Sequence, residues 1–211
     1  MTFKLPTIYP ITDRQISGLS HLEQAKRFVR GGSRFIQLRE KDLGSHEFYD
    51  AAAKTVEFAS TSGTTIIIND RVDIAIAAGA AGVHLGQDDM PPEKVRALLG
   101  DKAVIGYSTH TIEQAKSAAV LPVDYIAIGP IFHTNTKADA DAVVGLDGIR
   151  RVRDVIGELP LVAIGGININ EIASVLEAGA DSVAMIGAIL GNGDIDLQIK
   201  SLIARFSKHS A

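Results

Sequence analysis

What most constrains this chain is an alternation that runs from end to end. Short apolar runs rich in β-branched residues occur at 7–12, 34–39, 64–69, 82–85, 103–108, 124–129, 161–165 and 182–186, and segments of helical character lie between them. Strands joined through helical crossovers are parallel, because a tight hairpin cannot connect them. Two closures satisfy that rule, an open doubly wound sheet and a barrel. The doubly wound, dinucleotide-binding form requires a Gly-x-Gly-x-x-Gly turn after an early strand, and the sequence has none. Eight repeats without a doubled gap predict an α/β chain folded as a (β/α)8 TIM barrel, a single domain over residues 1–211, at the short end of the range for that architecture.

The helical segments carry their own signals. Ser20-His-Leu-Glu23 reads as a capping box, with Leu22, Ala25, Phe28 and Val29 as the apolar stripe and Gly31 as the stop. Phe48, Ala51, Ala52, Val56, Phe58 and Ala59 repeat near 3.6 across 45–63. Pro91 and Pro92 suit the first turn of a helix bearing Val95, Leu98 and Leu99. Thr111-Ile-Glu-Gln114 and Asn168-Ile-Asn-Glu171 predict two more capped starts, and further helices are expected at 146–156 and 195–206. Ala77-Ala-Gly-Ala-Ala-Gly-Val-His-Leu85 and Leu176-Glu-Ala-Gly-Ala-Asp-Ser-Val-Ala184 repeat one helix–turn–strand unit. The connection 130–145 shows no clean helical stripe; loops of that length are usually lids or binding loops.

Composition narrows the chemistry. No cysteine is present, which excludes thiolate catalysis, zinc–thiolate and iron–sulfur sites, and fits a reducing cytoplasm. A net charge of −4 gives no basic footprint for nucleic acid. No run approaches the ~18 apolar residues of a membrane span, and the first residues lack a signal-like apolar core. The expectation is a cytoplasmic protein acting on small molecules, without nucleic-acid or membrane partners.

In a barrel of this kind chemistry gathers at the C-terminal ends of the strands. There the second strand ends Gln37-Leu-Arg-Glu-Lys41, which places Gln37, Arg39 and Lys41 on one face if the strand stays extended: an amide, a guanidinium fork and an ammonium, suited to phosphate. Surface charge leaving a strand is the plainer alternative. The third strand ends Asn69-Asp70-Arg71, and Gly86-Gln-Asp-Asp89 follows the fourth. Asp70 and Asp89 on adjacent rims offer the one or two carboxylates by which proteins hold Mg²⁺ with substrate phosphate and water. Two structural roles compete: Asp88 or Asp89 as cap of the helix begun by Pro91, and Asp70 as partner of Arg71 or Arg39.

Ser108 is placed to donate to a phosphate or to begin a turn, and Thr134-Asn-Thr-Lys137 forms a second anion-binding cluster. Gly165-Gly166 and Gly187 give glycine-rich turns after the last two strands, where phosphate sites often lie. Of the histidines, His21, His46 and His209 read as solvated, His84 as a lumen residue satisfied in place, and His110 and His133 as rim positions. No pair has metal-ligand spacing.

These motifs resemble the thiamine-phosphate synthase (thiamine-phosphate pyrophosphorylase) family. The likeness rests on Tyr9-Pro-Ile-Thr-Asp13, Gln37-Leu-Arg-Glu-Lys41, Asn69-Asp-Arg-Val-Asp73, Gly82-Val-His-Leu-Gly-Gln-Asp-Asp89, Ser108-Thr-His110, Gly129-Pro-Ile-Phe132 with Thr134-Asn-Thr-Lys137, and Ala163-Ile-Gly-Gly-Ile167. The resemblance implies a transferase that joins 4-amino-5-hydroxymethyl-2-methylpyrimidine diphosphate to a thiazole phosphate, releasing pyrophosphate. It implies pyrimidine diphosphate on Gln37, Arg39, Lys41, Asn69, Ser108 and Lys137, with Arg39, Lys41, Ser108 and Lys137 catalytic. It assigns Mg²⁺ to Asp70 and Asp89, and thiazole phosphate to Thr134, Thr136, Gly166, Ile186 and Gly187. A homodimer is likewise implied. Two positions depart from the pattern: Gly187 stands where relatives often carry serine, and His133 where a proline is common.

Three alternatives share the fold. A thiazole tautomerase would place a histidine after the glycine ending strand six and lose the metal aspartates, whereas Pro130 follows Gly129 here and both aspartates are present. A Schiff-base aldolase would want a desolvated lysine within a strand. A catalytically silent barrel that binds the precursors is the third.

Overall fold

The expected strands form and close on themselves. The computed structural model describes residues 5–134, 142–191 and 193–206. The strands are β1 (Ile8–Thr12), β2 (Phe35–Leu38), β3 (Thr65–Asn69), β4 (Gly82–Leu85), β5 (Val104–Thr109), β6 (Tyr125–Ile128), β7 (Leu161–Ile164) and β8 (Ser182–Met185). All neighbours pair in parallel, and β8 returns to β1 through Ile8↔Val183, giving a closed barrel in sequence order. The helices are α1 (Arg14–Ser17), α2 (His21–Arg30), α3 (Ser45–Ser62), α4 (Val72–Ala78), α5 (Pro92–Leu99), α6 (Ile112–Ala118), α7 (Gly145–Ile156), α8 (Ile172–Glu177), α9 (Gly187–Leu190) and α10 (Ile195–Phe206).

Strand alternation divides the core in two. Ile36, Leu38, Ile66, Ile68, Val83 and Leu85 face outward and pack with the helices, where Ala25 and Phe28 of α2 are fully buried. Burying a side chain such as Phe28 contributes about 1.5–3 kcal/mol. Tyr9, Ile11, Phe35, Ile67, Val104, Tyr125 and Val162 face inward and fill the lumen.

A repeated clamp fixes the helices to the strand starts. Arg96 on α5 donates to the carbonyls of Gly100, Ala103 and Pro122 and to Asp124 Oδ2, which also accepts from the Ile105 N–H. Arg153 on α7 repeats the pattern with Gly157, Leu159, Gly179 and Asp181, whose Oδ2 accepts from the Leu161 N–H. Each guanidinium fork thus satisfies carbonyls at its own helix end and a carboxylate that holds the next strand.

Three local expectations need correction. His21 is not solvated. Its side chain is fully buried, with Nδ1 2.7 Å from Thr12 Oγ1 and Nε2 3.1 Å from Glu40 Oε2. The Ser20 cap, which accepts from the Glu23 N–H, starts α2 so that its first residue turns inward. Burial holds the His21 imidazole below its usual pKa, with Glu40 pulling the other way. Secondly, α8 begins at Ile172, several residues after Asn168. Half of the expected box forms, since the Asn168 N–H donates to Glu171 Oε2 at 2.9 Å, but Asn168 Oδ1 accepts from the Asn170 N–H rather than from that of Glu171, and this local turn delays the helix. Thirdly, α1 and α9 were not foreseen, each being only four residues long. Asp13 creates α1 by accepting from the N–H groups of Gln15 and Ile16.

Candidate active site

A cavity of about 800 Å³ opens at the C-terminal ends of the strands. Among the residues that line it are Gln37, Arg39, Lys41, Asn69, Asp70, Asp89, Ser108, Thr134, Gly166, Ile186 and Gly187, so these expected site residues meet in one place. Thr136 and Lys137 lie outside the described residues.

The β2 end behaves differently from a continued strand. Pairing stops at Leu38, and Arg39 and Lys41 leave it in the loop that follows. Arg39 reaches Asp13 Oδ2 at 2.8 Å, and Lys41 Nζ meets Asp70 Oδ2 at 2.5 Å. Both cations face the cavity already engaged by carboxylates, which places them without leaving a bare positive cluster.

Asp70 adopts φ 61°, in the left-handed region, a conformation that costs an ordinary residue about 1 kcal/mol and that aspartate tolerates better than most. Its N–H bonds to the His84 carbonyl at 2.8 Å, which fixes the turn at the end of β3. Asp89 does not cap α5, where no side chain serves that purpose. Instead its Oδ2 accepts from the Gly86 N–H at 2.6 Å, holding the carboxyl over the cavity. Arg71 pairs with Asp73 rather than with Asp70.

Asp70 and Asp89 both line the cavity, and their carboxyl groups are close enough to perturb one another. Burial raises the Asp89 pKa above the ordinary carboxylate value, and the Asp70 charge raises it further, against the Gly86 N–H and Lys41. Two carboxylates crowded together form a donor set that a hard divalent cation relieves. Among the described residues no group of three or more acidic or histidine side chains converges as a ligand set. The pair therefore fits an ion that keeps water and takes substrate oxygens, as Mg²⁺ does.

Inside the rim, five polar side chains are joined across the lumen. Gln37 Nε2 donates to Tyr9 Oη at 3.0 Å, and Tyr9 Oη lies 3.0 Å from Tyr125 Oη. Tyr125 Oη is 3.0 Å from His84 Nδ1, and His84 Nε2 is 2.8 Å from Ser108 Oγ. Gly106 lies between His84 and Tyr125 in the sheet register and leaves room for both rings. Burial pushes the His84 imidazole down to about 4, with Asp70 opposing, and burial raises both tyrosine hydroxyls. His84 is thus the satisfied lumen residue expected of it. Its link to Ser108 and the participation of both tyrosines were not anticipated, since strand alternation places Tyr9 and Tyr125 inside without saying what they touch.

His110 also lines the cavity, and its Nδ1–H donates to the Gly129 carbonyl at 2.7 Å. His133 is exposed. No strand carries a lysine, so the feature required of a Schiff-base aldolase is missing from the described strands. No helix among the described residues is long and apolar enough to cross a membrane.

Comparison with known proteins gives a consistent result. A family model described as thiamine monophosphate synthase matches residues 8–189. The thiamine-phosphate synthase of Pelotomaculum thermopropionicum is 43% identical over 202 residues, covering 95% of this chain and 92% of its own. That of Syntrophomonas wolfei is 42% identical over 197 residues, covering 93% and 94%. The solved structure of thiamine phosphate pyrophosphorylase from Pyrococcus furiosus superimposes with a TM-score of 0.87 at 31% identity, over 97% of each chain.

Proposed function

We propose a reaction from the premise that these comparisons supply: the chain belongs to the thiamine monophosphate synthase family. It is an enzyme of thiamine synthesis, a transferase that releases pyrophosphate. Its substrates are 4-amino-5-hydroxymethyl-2-methylpyrimidine diphosphate and a thiazole phosphate, and its products are thiamine phosphate and pyrophosphate. One observation carries the assignment of the site: the strand-end cavity gathers Arg39 and Lys41 beside the Asp70–Asp89 carboxyl pair.

In this reading Gln37, Asn69 and Ser108 orient the pyrimidine diphosphate. Arg39 and Lys41 exchange their carboxylate partners for diphosphate oxygens, and Lys137 adds a third cation. Those charges stabilise the leaving group as the bond from the pyrimidine methylene carbon to the diphosphate oxygen breaks. Asp70 and Asp89 would hold Mg²⁺, which when bound neutralises charge on the departing diphosphate. The thiazole nitrogen then attacks the pyrimidine-methyl cation. Thr134, Thr136, Gly166 and the backbone at Ile186–Gly187 hold the thiazole phosphate so that the nitrogen faces that carbon. No strong general base is required, in keeping with a rim whose His110 is tied to a backbone carbonyl. The chain acts as one barrel domain.

The test is thiamine phosphate formation from the two purified substrates, with and without Mg²⁺, for the natural protein and for Asp70→Ala and Asp89→Ala. The expected result is product with Mg²⁺, lost on chelation and strongly reduced in both variants. Full activity in both variants would remove the metal site, and no product from the folded natural protein would remove the synthase reading.

A further inference from the structure

The lumen of a barrel like this is ordinarily filled by branched apolar side chains, and Ile11, Ile67, Val104 and Val162 follow that rule. The line from Gln37 to Ser108 departs from it. A buried polar chain is costly unless every member is satisfied, and each link here is within 2.8–3.0 Å.

The chain has a direction. The Gln37 amide nitrogen only donates, so Tyr9 Oη accepts from it. Tyr9 has one proton of its own, and its other partner is Tyr125 Oη, which receives it. Tyr125, having accepted from Tyr9, passes its proton to His84 Nδ1. A neutral imidazole that accepts at Nδ1 carries its proton on Nε2, and that proton goes to Ser108 Oγ. Ser108 then has its own proton left for the cavity it lines. At the opposite end, one N–H of the Gln37 amide is committed to Tyr9, which turns the nitrogen inward and leaves the amide oxygen for the same cavity.

We propose that Tyr9, Tyr125 and His84 are positioning residues that set the polarity of the cavity's two end groups, holding Gln37 as an acceptor and Ser108 as a donor. Resting on the synthase reading, this assigns the Gln37 oxygen to the exocyclic amino group of the pyrimidine and the Ser108 proton to a diphosphate oxygen. Run in the opposite direction, the chain would have Ser108 donate to His84 and face phosphate with lone pairs alone. Gly106 supports the arrangement sterically: a Cβ there would lie 2.1 Å from Tyr125 Cζ and 2.5 Å from His84 Nδ1.

The experiment has two readouts that do not require turnover. Long-range ¹H–¹⁵N spectra of the labelled natural protein, with His84 assigned by comparison with His84→Gln, report which ring nitrogen carries the proton. Titration calorimetry reports the Kd for the pyrimidine diphosphate. The proposal expects His84 protonated on Nε2. Tyr125→Phe is expected to lose the single tautomer and to raise that Kd about tenfold, one hydrogen bond to a charged group, with binding of the thiazole phosphate unchanged. Tyr9→Phe is expected to raise the same Kd while leaving the His84 tautomer in place, since Tyr125 still has a proton to give. It also serves as the second variant should Tyr125→Phe fail to fold. A proton on Nδ1 in the natural protein, or unchanged affinity in a folded Tyr125→Phe or Tyr9→Phe protein, overturns the proposal. Binding and tautomer as expected, without turnover by the natural protein, would overturn only the synthase reading.

Discussion

Replacing Gly106 by alanine tests whether the lumen is packed as tightly as its geometry indicates. The new Cβ would stand 2.1 Å from Tyr125 Cζ, 2.3 Å from its hydroxyl and 2.5 Å from His84 Nδ1. Ordinary carbon contact is about 3.5–4.0 Å, so the Tyr125 ring would have to retreat by roughly 1.5 Å. It has little room, being fully buried with Tyr9 edge-on to it and His84 stacked on it. Gly106 is not in the left-handed region, so alanine carries no backbone penalty there and the loss is steric. Overpacking of this kind costs about 1–3 kcal/mol. Breaking the Tyr9–Tyr125 and Tyr125–His84 hydrogen bonds adds about 1 kcal/mol each. A loss of about 4 kcal/mol is expected, or roughly 8–16 °C in Tm at this chain length. The chain has no tryptophan, so urea and thermal unfolding are best followed by far-ultraviolet circular dichroism. Tyr125→Phe removes the hydroxyl but leaves Cζ, so in that background Gly106→Ala should cost about 2 kcal/mol less. A loss below about 1 kcal/mol, or strict additivity of the two substitutions, would refute the packing argument.

Three other outcomes follow from the structure. Burial raises the Glu40 carboxyl pKa, but the N–H groups of Asp42 and Leu43 with His21 and Arg14 overcome it and leave the value at about 2. With 4.5 as the reference value, its contribution of about 3 kcal/mol is complete above that pH and is lost as pH falls toward 2. Urea midpoints across that window should therefore fall less steeply for Glu40→Gln than for the natural protein, and an equal slope would contradict the assignment. Arg153→Lys should destabilise by about 2 kcal/mol, because a single ammonium cannot span three carbonyls and Asp181 as the fork does; an unchanged urea midpoint would show the clamp to be incidental. A Cβ at Gly187 meets nothing within 4 Å, so Gly187→Ser should fold normally and lower the KM for thiazole phosphate about tenfold through one hydroxyl-to-phosphate bond, which steady-state kinetics at saturating pyrimidine diphosphate would detect.

Much of this protein is legible in its order of residues, since the physics involved is local or periodic. Apolar runs of strand length, capping serines and threonines, and the absence of a dinucleotide-binding turn are sufficient for a (β/α)8 barrel. Side-chain alternation with the strand-end rule brings Gln37, Asn69, Asp70, Asp89 and Ser108 to one rim. Partner choice is different, because it depends on distances between residues far apart in the chain. Arg39 selects Asp13 and Lys41 selects Asp70, while Arg71, the nearest cation in sequence to Asp70, turns to Asp73. His21 looks like a surface residue on a helix start until the end of β1 and the loop after β2 bring Thr12 and Glu40 to it. The chain of hydrogen bonds through Tyr9, Tyr125 and His84 spans residues 116 apart in sequence. It exists only because barrel closure brings β1, β4 and β6 around a common lumen and Gly106 leaves the space between them. The sequence by itself determined the architecture and which chemical groups stand at its mouth; tertiary closure decided how they pair, because hydrogen bonding and charge pairing act over a few ångströms that the sequence does not measure.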